Sequence, residues 1–277
     1  MKITTSSLGY ARKNYRMVLY DSNGKEFFHK LHPDVLAEST FTLKCDYVDS
    51  SLCSNVCLAQ IANDCVYGPG FTPAQKDNME RRTSIYGHPI ELINVVDNEP
   101  TSLGAYMFNI DRYATKNMGY DTKQYPNMLC IEGESNSDVG SSAFYVFDKN
   151  NPLYTEFGGN EVRYHNEGWR VVYPPTNEEA YDFGAVKRLV DFVGGSGDDD
   201  FKDSFEQYFN KESVLKYYLF NMFIGGIDGL SKNFHLCSWD GLVYYVLPYD
   251  LDSCLGGTNT GFLRVPPSCE EINSLLH

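Results

Sequence analysis

The sequence predicts an α+β chain of two lobes, a strand-rich first half with one helix and a mostly helical second half, divided near residue 135 (1–135 and 136–277). Three observations carry this. Short apolar runs separated by Gly, Asn and Pro turns dominate the first half. Cap-and-stop signals with helical spacing take over after Pro174. Two acidic loops then flank a short hairpin near the end, Asp228 to Asn233 and Asp250 to Asp252.

The elements follow in order. Tyr15–Tyr20, the turn Asp21-Ser22-Asn23-Gly24 and Glu26–Phe28 read as a hairpin. Phe41–Tyr47 reads as a strand. Asp49-Ser50-Ser51 then opens a helix running to about Cys65, with Asp49 or Ser50 able to accept a bond from its first free N–H groups. Gly68-Pro69-Gly70 breaks the chain, and Phe71–Arg82 is polar enough to be a loop. Ser84–Asn94 reads as two short strands or one interrupted strand, and Gly104–Ile110 as another. Weaker strands follow at 128–132, 143–147 and 161–164.

Beyond Pro174, Thr176-Asn177-Glu178-Glu179 fits a capping box, and the helix it opens ends at Gly194-Gly195. A second helix covers about Asp199–Phe209. A third starts near Lys211 and carries an aromatic stripe (Tyr217, Tyr218, Phe220) that reads as core packing. Strand Phe234–Ser238, turn Trp239-Asp240-Gly241 and strand Leu242–Leu247 lead into the Asp250 loop.

Bulk properties bound the function. A net charge of −14 speaks against nucleic acid as a main partner, because counterion release needs a basic surface. The longest apolar run, Tyr217–Ile227, is too short for a membrane span. Residues 1–7 lack the apolar core of a signal peptide. Eight cysteines include no C-x-x-C pair, and Cys53, Cys57 and Cys65 read as small apolar core residues of the first helix. A reduced, intracellular state is expected. The histidines show no paired metal spacing. Gly194–Gly197 precedes Asp198-Asp199-Asp200 and no Lys-Ser/Thr follows, so it reads as a connector and not as a phosphate loop.

The acidic loops carry chemistry. Asp228 is followed five positions later by Asn233, and a hairpin later by Asp250 and Asp252. This is the order of the protein-kinase catalytic loop and its metal-binding Asp. There, the first Asp accepts the proton of the attacking hydroxyl, while the Asn and second Asp hold Mg²⁺ against the nucleotide phosphates. Two Asp residues two positions apart at a strand end point the same way, so both can reach a metal. Lys44, in a strand just before the only first-half helix, occupies the place of the lysine that pairs the α- and β-phosphates. Lys13 and Arg16 are competing cations. The helix after Lys44 contains no Glu, and only Asn55, Gln60 and Asp64 are polar enough to hold the lysine.

The ordered set resembles the CotH-type spore-coat kinases. Tyr218–Gly256, with Asp228, Asn233 and Leu247-Pro248-Tyr249-Asp250-Leu251-Asp252, is similar to that family's P-W-D-x-D region and the loop before it. Arg12–Arg16 is similar to its K-K-S-Y-R strand, Leu43–Asn55 to its L-K-A-x-Y-x-D segment, and Leu103–Arg112 to its L-G-x-Y segment. The resemblance implies a two-lobe, atypical protein-kinase-like fold with ATP in the cleft between lobes. It implies ATP- and Mg²⁺-dependent phosphorylation of protein Ser or Thr. Asp228 would be the catalytic Asp, Asn233 and Asp250 metal ligands, and Asp252 their neighbour. It departs at Asn109, where the family often has Glu, at Tyr249, where it often has Trp, and in the loop from Gly229 to Asn233. Those departures leave a second expectation, a module that keeps the fold without the activity in a phage particle or bacterial surface protein. Transfer to a small molecule, or of another group such as AMP, is a third.

Overall fold

The computed structural model describes residues 2–3, 10–30, 32–47, 49, 51–133, 165–166, 169–174, 184–226, 229 and 233–257. The strands expected at 143–147 and 161–164, the Thr176–Glu179 capping box and Asp228 lie outside the described residues. The chain is α+β with two antiparallel sheets, and it divides into two compact units. Unit 1 is residues 1–119 with 250–277, and unit 2 is residues 120–249. No helix among the described residues is long and apolar enough to cross a membrane.

Unit 1 is built on a sheet of order β1-β2-β3-β5-β4, with β1 at Lys2–Ile3, β2 at Tyr15–Val18, β3 at Thr40–Lys44, β4 at Gly87–Val96 and β5 at Glu99–Ile110. The turn after β2 forms as expected. Asp21 Oδ1 accepts the N–H groups of Asn23 and Lys25, and Gly24 takes φ +75°. The returning arm pairs only at single bridges, Tyr20 with Glu26 and His29 with Glu38, instead of as a regular strand. Alternation in β3 buries Phe41 and Leu43 on one face and leaves Thr42 and Lys44 half-buried on the other. The β4–β5 hairpin turns at Asp97 and Asn98, both at positive φ, which Asp and Asn tolerate. Its register shifts between Glu91 and Ile93, so the interrupted strand is one bulged strand.

The helix of unit 1 starts later than its sequence suggests. α1 spans Ser54–Ile61 and continues as a π-helical segment, Ala62–Tyr67. Asp49 still serves its start, but from outside the helix: its carboxylate accepts the Ser54 N–H at 2.8 Å and both the N–H and hydroxyl of Ser51. Cys57 and Cys65 are exposed and Cys53 is half-buried, which overturns their reading as core residues. Their spacing of four and eight placed them on one helix face, but that face looks to solvent. Phe71–Arg82 is not all loop. Thr72 and Gln75 exchange capping-box bonds across α2, Pro73–Asp77, with Pro73 at the first helical position. α3 is a single turn, Thr115–Met118.

The π-helical segment places Asn63 to close the loop before β4. Asn63 Oδ1 accepts from the Thr83 N–H, the Thr83 hydroxyl and the Ser84 N–H, and its Nδ2 donates to the Ile85 carbonyl.

Unit 2 carries the second sheet, of order β10-β9-β6-β8-β7, with β6 at Leu129–Gly133, β7 at His165–Asn166, β8 at Trp169–Tyr173, β9 at Phe234–Ser238 and β10 at Tyr245–Pro248. Helices α4 (Gly184–Gly195) and α6 (Lys211–Ile224) lie within the expected spans, while α5 (Asp198–Ser204) ends short of Phe209 and passes into a 3-10 turn, Phe205–Gln207. Leu129, Ile131, Val171, Leu236 and Val246 of this sheet pack with Val186, Leu189 and Val190 of α4 and Tyr217 of α6 into one apolar core. The aromatic stripe of α6 packs inward, with Tyr217 and Phe220 buried and Tyr218 half-buried, while Leu215, Leu219 and Phe223 on the same helix are exposed.

Replacing Asn63 by Ala would strand three donors and one acceptor in a buried loop. The expected loss is about 2–4 kcal/mol, read as a lower urea midpoint for unit 1. An unchanged midpoint would contradict the role given to Asn63.

Candidate functional site

In unit 1, Lys44 meets the acids that follow β10. Its ammonium pairs with Asp250 in a short contact and lies 3.6 Å from Asp252. Asn55 of α1 fixes the backbone beside them: its Oδ1 accepts the Leu251 N–H at 2.9 Å, and its Nδ2 reaches Asp250 Oδ1 at 3.5 Å. Asn55 is almost fully buried, so this hold is rigid. The other polar residues of that helix turn elsewhere. Gln60 Nε2 donates to the Gly87 carbonyl, and Asp64 pairs with Arg82.

Asp46, which sequence reading passed over, belongs to the same cluster. It is 3 % exposed, and neither carboxylate oxygen has a hydrogen-bond partner among the described residues. Burial pushes its carboxyl up to about 7; Lys44 opposes the rise, and Asp252, Asp250 and Asp49 add to it. One ammonium thus faces the carboxylates of Asp46, Asp250 and Asp252. Hard oxygen donors in excess of cations, one carboxylate buried without a hydrogen-bond partner among the described residues, fit a divalent cation of the Mg²⁺ type. The signal for Asp46 lay in the sequence, two residues beyond Lys44 on the same strand edge. A bare Asp after a strand is too common to single out.

Asp46, Asn233 and Asp250 share backbone geometry, with φ of +40°, +60° and +53°. Left-handed backbone is uncommon outside glycine and concentrates at functional sites. Asn233 lies in unit 2, where its carbonyl accepts the Tyr249 N–H at 3.2 Å.

The mount of the Asp228 loop is visible although Asp228 itself is not described. α6 ends at Gly225, φ +60°, with the Gly226 N–H returning to the Asn221 carbonyl. Gly229 is buried against α6, and the Tyr217 hydroxyl donates to its carbonyl. A methyl group at this position would lie 2.4 Å from Asn221 Oδ1, so only glycine lets the loop come this close. At the other end of α6, the Asn210 side chain caps the helix through the Ser213 N–H, and the Ser213 hydroxyl accepts the Val246 N–H. β10 is thereby tied to the helix that carries the loop.

The competing cations are engaged away from Lys44. Lys13 Nζ donates to the Tyr10 carbonyl. Arg16 lies 3.5 Å from Asp111 and over the Tyr113 ring. Asp111 also accepts the Thr42 hydroxyl at 3.0 Å, so Thr42 and Lys44, two apart on one face of β3, each hold an acid. Asn109 on β5 is buried opposite Thr42 and Gly87.

The raised Asp46 carboxyl predicts a pH dependence. In metal-free buffer its folded value of about 7 exceeds the ordinary carboxylate value of 3.8. Its contribution to stability is then full below the unfolded value and lost as pH rises through about 7. Thermal melts should show the wild type falling relative to Asp46→Asn between pH 5 and pH 8, by at most about 4 kcal/mol. Parallel pH profiles for the two proteins would contradict the assignment.

A sequence search finds no matching curated protein. A family model described as CotH kinase protein matches residues 133–273, just over half of the chain. The match takes in the acidic loops, β9, β10 and α6, and on it the chain belongs to the CotH kinase protein family.

Proposed function

We propose that the chain is a protein kinase of CotH type, transferring the γ-phosphoryl group of ATP to a protein Ser or Thr with Mg²⁺. The observation that carries this reading is the pairing of Lys44 with Asp250 and Asp252, buttressed by Asn55. It joins the phosphate-binding lysine implied by the family to its metal-binding acids.

The first half of the chain, residues 1–135 in the two-lobe plan, would grip the nucleotide. The second half, 136–277, would supply the reacting groups. Asp250 and Asp252 would hold Mg²⁺ in place of their present contact with Lys44, and the ion would supply neutralisation of the phosphate charge. Lys44 would then turn its ammonium to phosphate oxygens, and Asn233 would complete the ligand set. Asp228 would accept the proton of the substrate hydroxyl as the new P–O bond forms and the bond to ADP breaks. Asp46, buried beside this exchange, would gain a cation besides the Lys44 ammonium it now shares with Asp250 and Asp252. Lys13 and Arg16 are candidate secondary phosphate contacts, Arg16 the less available because Asp111 holds it.

A second reading, the fold without the activity, draws on Asn109. This buried amide stands where the family often has a carboxylate, and its Oδ1 has no hydrogen-bond partner among the described residues. A component of a phage particle or a bacterial surface protein would fit that loss.

Transfer of labelled phosphate from ATP to a mixed protein substrate separates the two. Asp228→Ala should abolish transfer with nucleotide binding retained, and Asp250→Ala should weaken Mg²⁺-ATP binding itself. Wild-type rates in the double variant would rule out the kinase assignment.

A further inference from the structure

The histidine and cysteine spacings gave no metal signal, yet the fold of unit 2 assembles one. β6 and β9 are adjacent antiparallel strands in which Cys130 stands opposite Cys237 and Glu132 opposite His235. Residues opposite each other share a face, and residues two apart share it again. These four side chains therefore form a two-by-two patch on one face. The intervening Ile131 and Leu236 enter the apolar core on the other. The patch is closed to solvent: Cys130, Cys237 and His235 are at most 1 % exposed and Glu132 is 3 % exposed.

Distances within the patch are those of ligands to one ion. The ligand atoms of Cys130, His235 and Cys237 all lie within 4.8 Å of one another. The two Sγ atoms are 3.2 Å apart, and the Tyr120 hydroxyl lies 3.2 Å from one and 3.8 Å from the other. The His235 ring is stacked on Tyr249 at 4.6 Å, which fixes its plane. Two sulfurs on a tetrahedral zinc ion, each at about 2.3 Å, stand about 3.7 Å apart. The observed pair needs to open by only about half an ångström to reach that.

We propose that Cys130, Cys237 and His235 form a structural binding site for a borderline-soft transition metal ion of the Zn²⁺ type, with Glu132 or the Tyr120 hydroxyl as the fourth donor. Two thiolates offset the charge of a dication, so the three-ligand complex is neutral and suits a dry interior. Thiolate and imidazole donors select such an ion over Mg²⁺. The site is independent of the kinase reading, since it shares no residue with the acids around Lys44.

The test uses the full chain, reduced and stripped with chelator, then titrated with Co²⁺. One equivalent should bind with the sulfur-to-metal charge-transfer band and the visible bands of a tetrahedral thiolate site, and Zn²⁺ should displace it. Asp250→Asn should keep the thiolate charge-transfer band at one equivalent, and Cys130→Ser with Cys237→Ser should show no such band. Because that double variant can fail to fold, X-ray absorption on the wild-type Zn²⁺ protein supplies a second measurement, with two sulfurs in the first shell expected. A shell of oxygen and nitrogen alone, no thiolate band, or a Cys130–Cys237 disulfide in freshly purified protein would each overturn the proposal.

Discussion

The Lys44 ammonium lies against Asp250 and Asp252 where β3, α1 and the segment after β10 come together in unit 1. Each contact at about 4 Å is worth about 4 kcal/mol in a protein-like dielectric, and repulsion between neighbouring carboxylates is of similar size. One ammonium cannot balance the carboxylates of Asp46, Asp250 and Asp252, so the arrangement is short of positive charge. Burial pushes the Asp46 carboxyl up to about 7, and the neighbouring carboxylates of that deficit add to the rise. The deficit explains why a divalent cation would be the natural complement. The rest of the site follows from it: α1 is needed because Asn55 holds Leu251 and Asp250 in register, and β3 is needed because its alternation turns Lys44 away from the apolar face.

Unit 2 packs α6 against its sheet. α6 buries Tyr217, Phe220 and Ile224 in or beside the core and uses Tyr217 and Asn221 to pin Gly229. Ser213 at the other end of the helix binds β10. Movement of Gly229 would thus have to break buried contacts. The thiol and imidazole patch on β6 and β9 lies on the face of the same sheet opposite the core, so a metal there would brace the strands that carry Asn233.

Much of this was readable from residues alone, for identifiable reasons. The helices of unit 2 announce themselves through long apolar periods and stop signals, and Gly194-Gly195 and Gly225 end them where expected. Lys44 and Asp250 could be nominated from their order, but that they touch is a long-range contact across 206 positions. Other features depend on information that local pattern does not hold. Cys53, Cys57 and Cys65 keep helical spacing, which fixes that they share a face but not whether the face is buried. The α2 capping box was present as Thr72-Pro73-Ala74-Gln75 and was masked by the polar character of the stretch around it. The Cys130, His235 and Cys237 patch is assembled by strand pairing over more than a hundred residues, where sequence spacing is silent.

The account rests on the acids around Lys44 being a nucleotide-metal site, and the thermal shift of the wild-type chain on adding Mg²⁺-ATP tests this most directly. At about 100 times its Kd, a ligand that binds only the folded state adds about 2.7 kcal/mol of stability. The account predicts a clear rise in melting temperature that requires Mg²⁺ and ATP together and is lost in Lys44→Met. A melting temperature unmoved by millimolar Mg²⁺-ATP would contradict it.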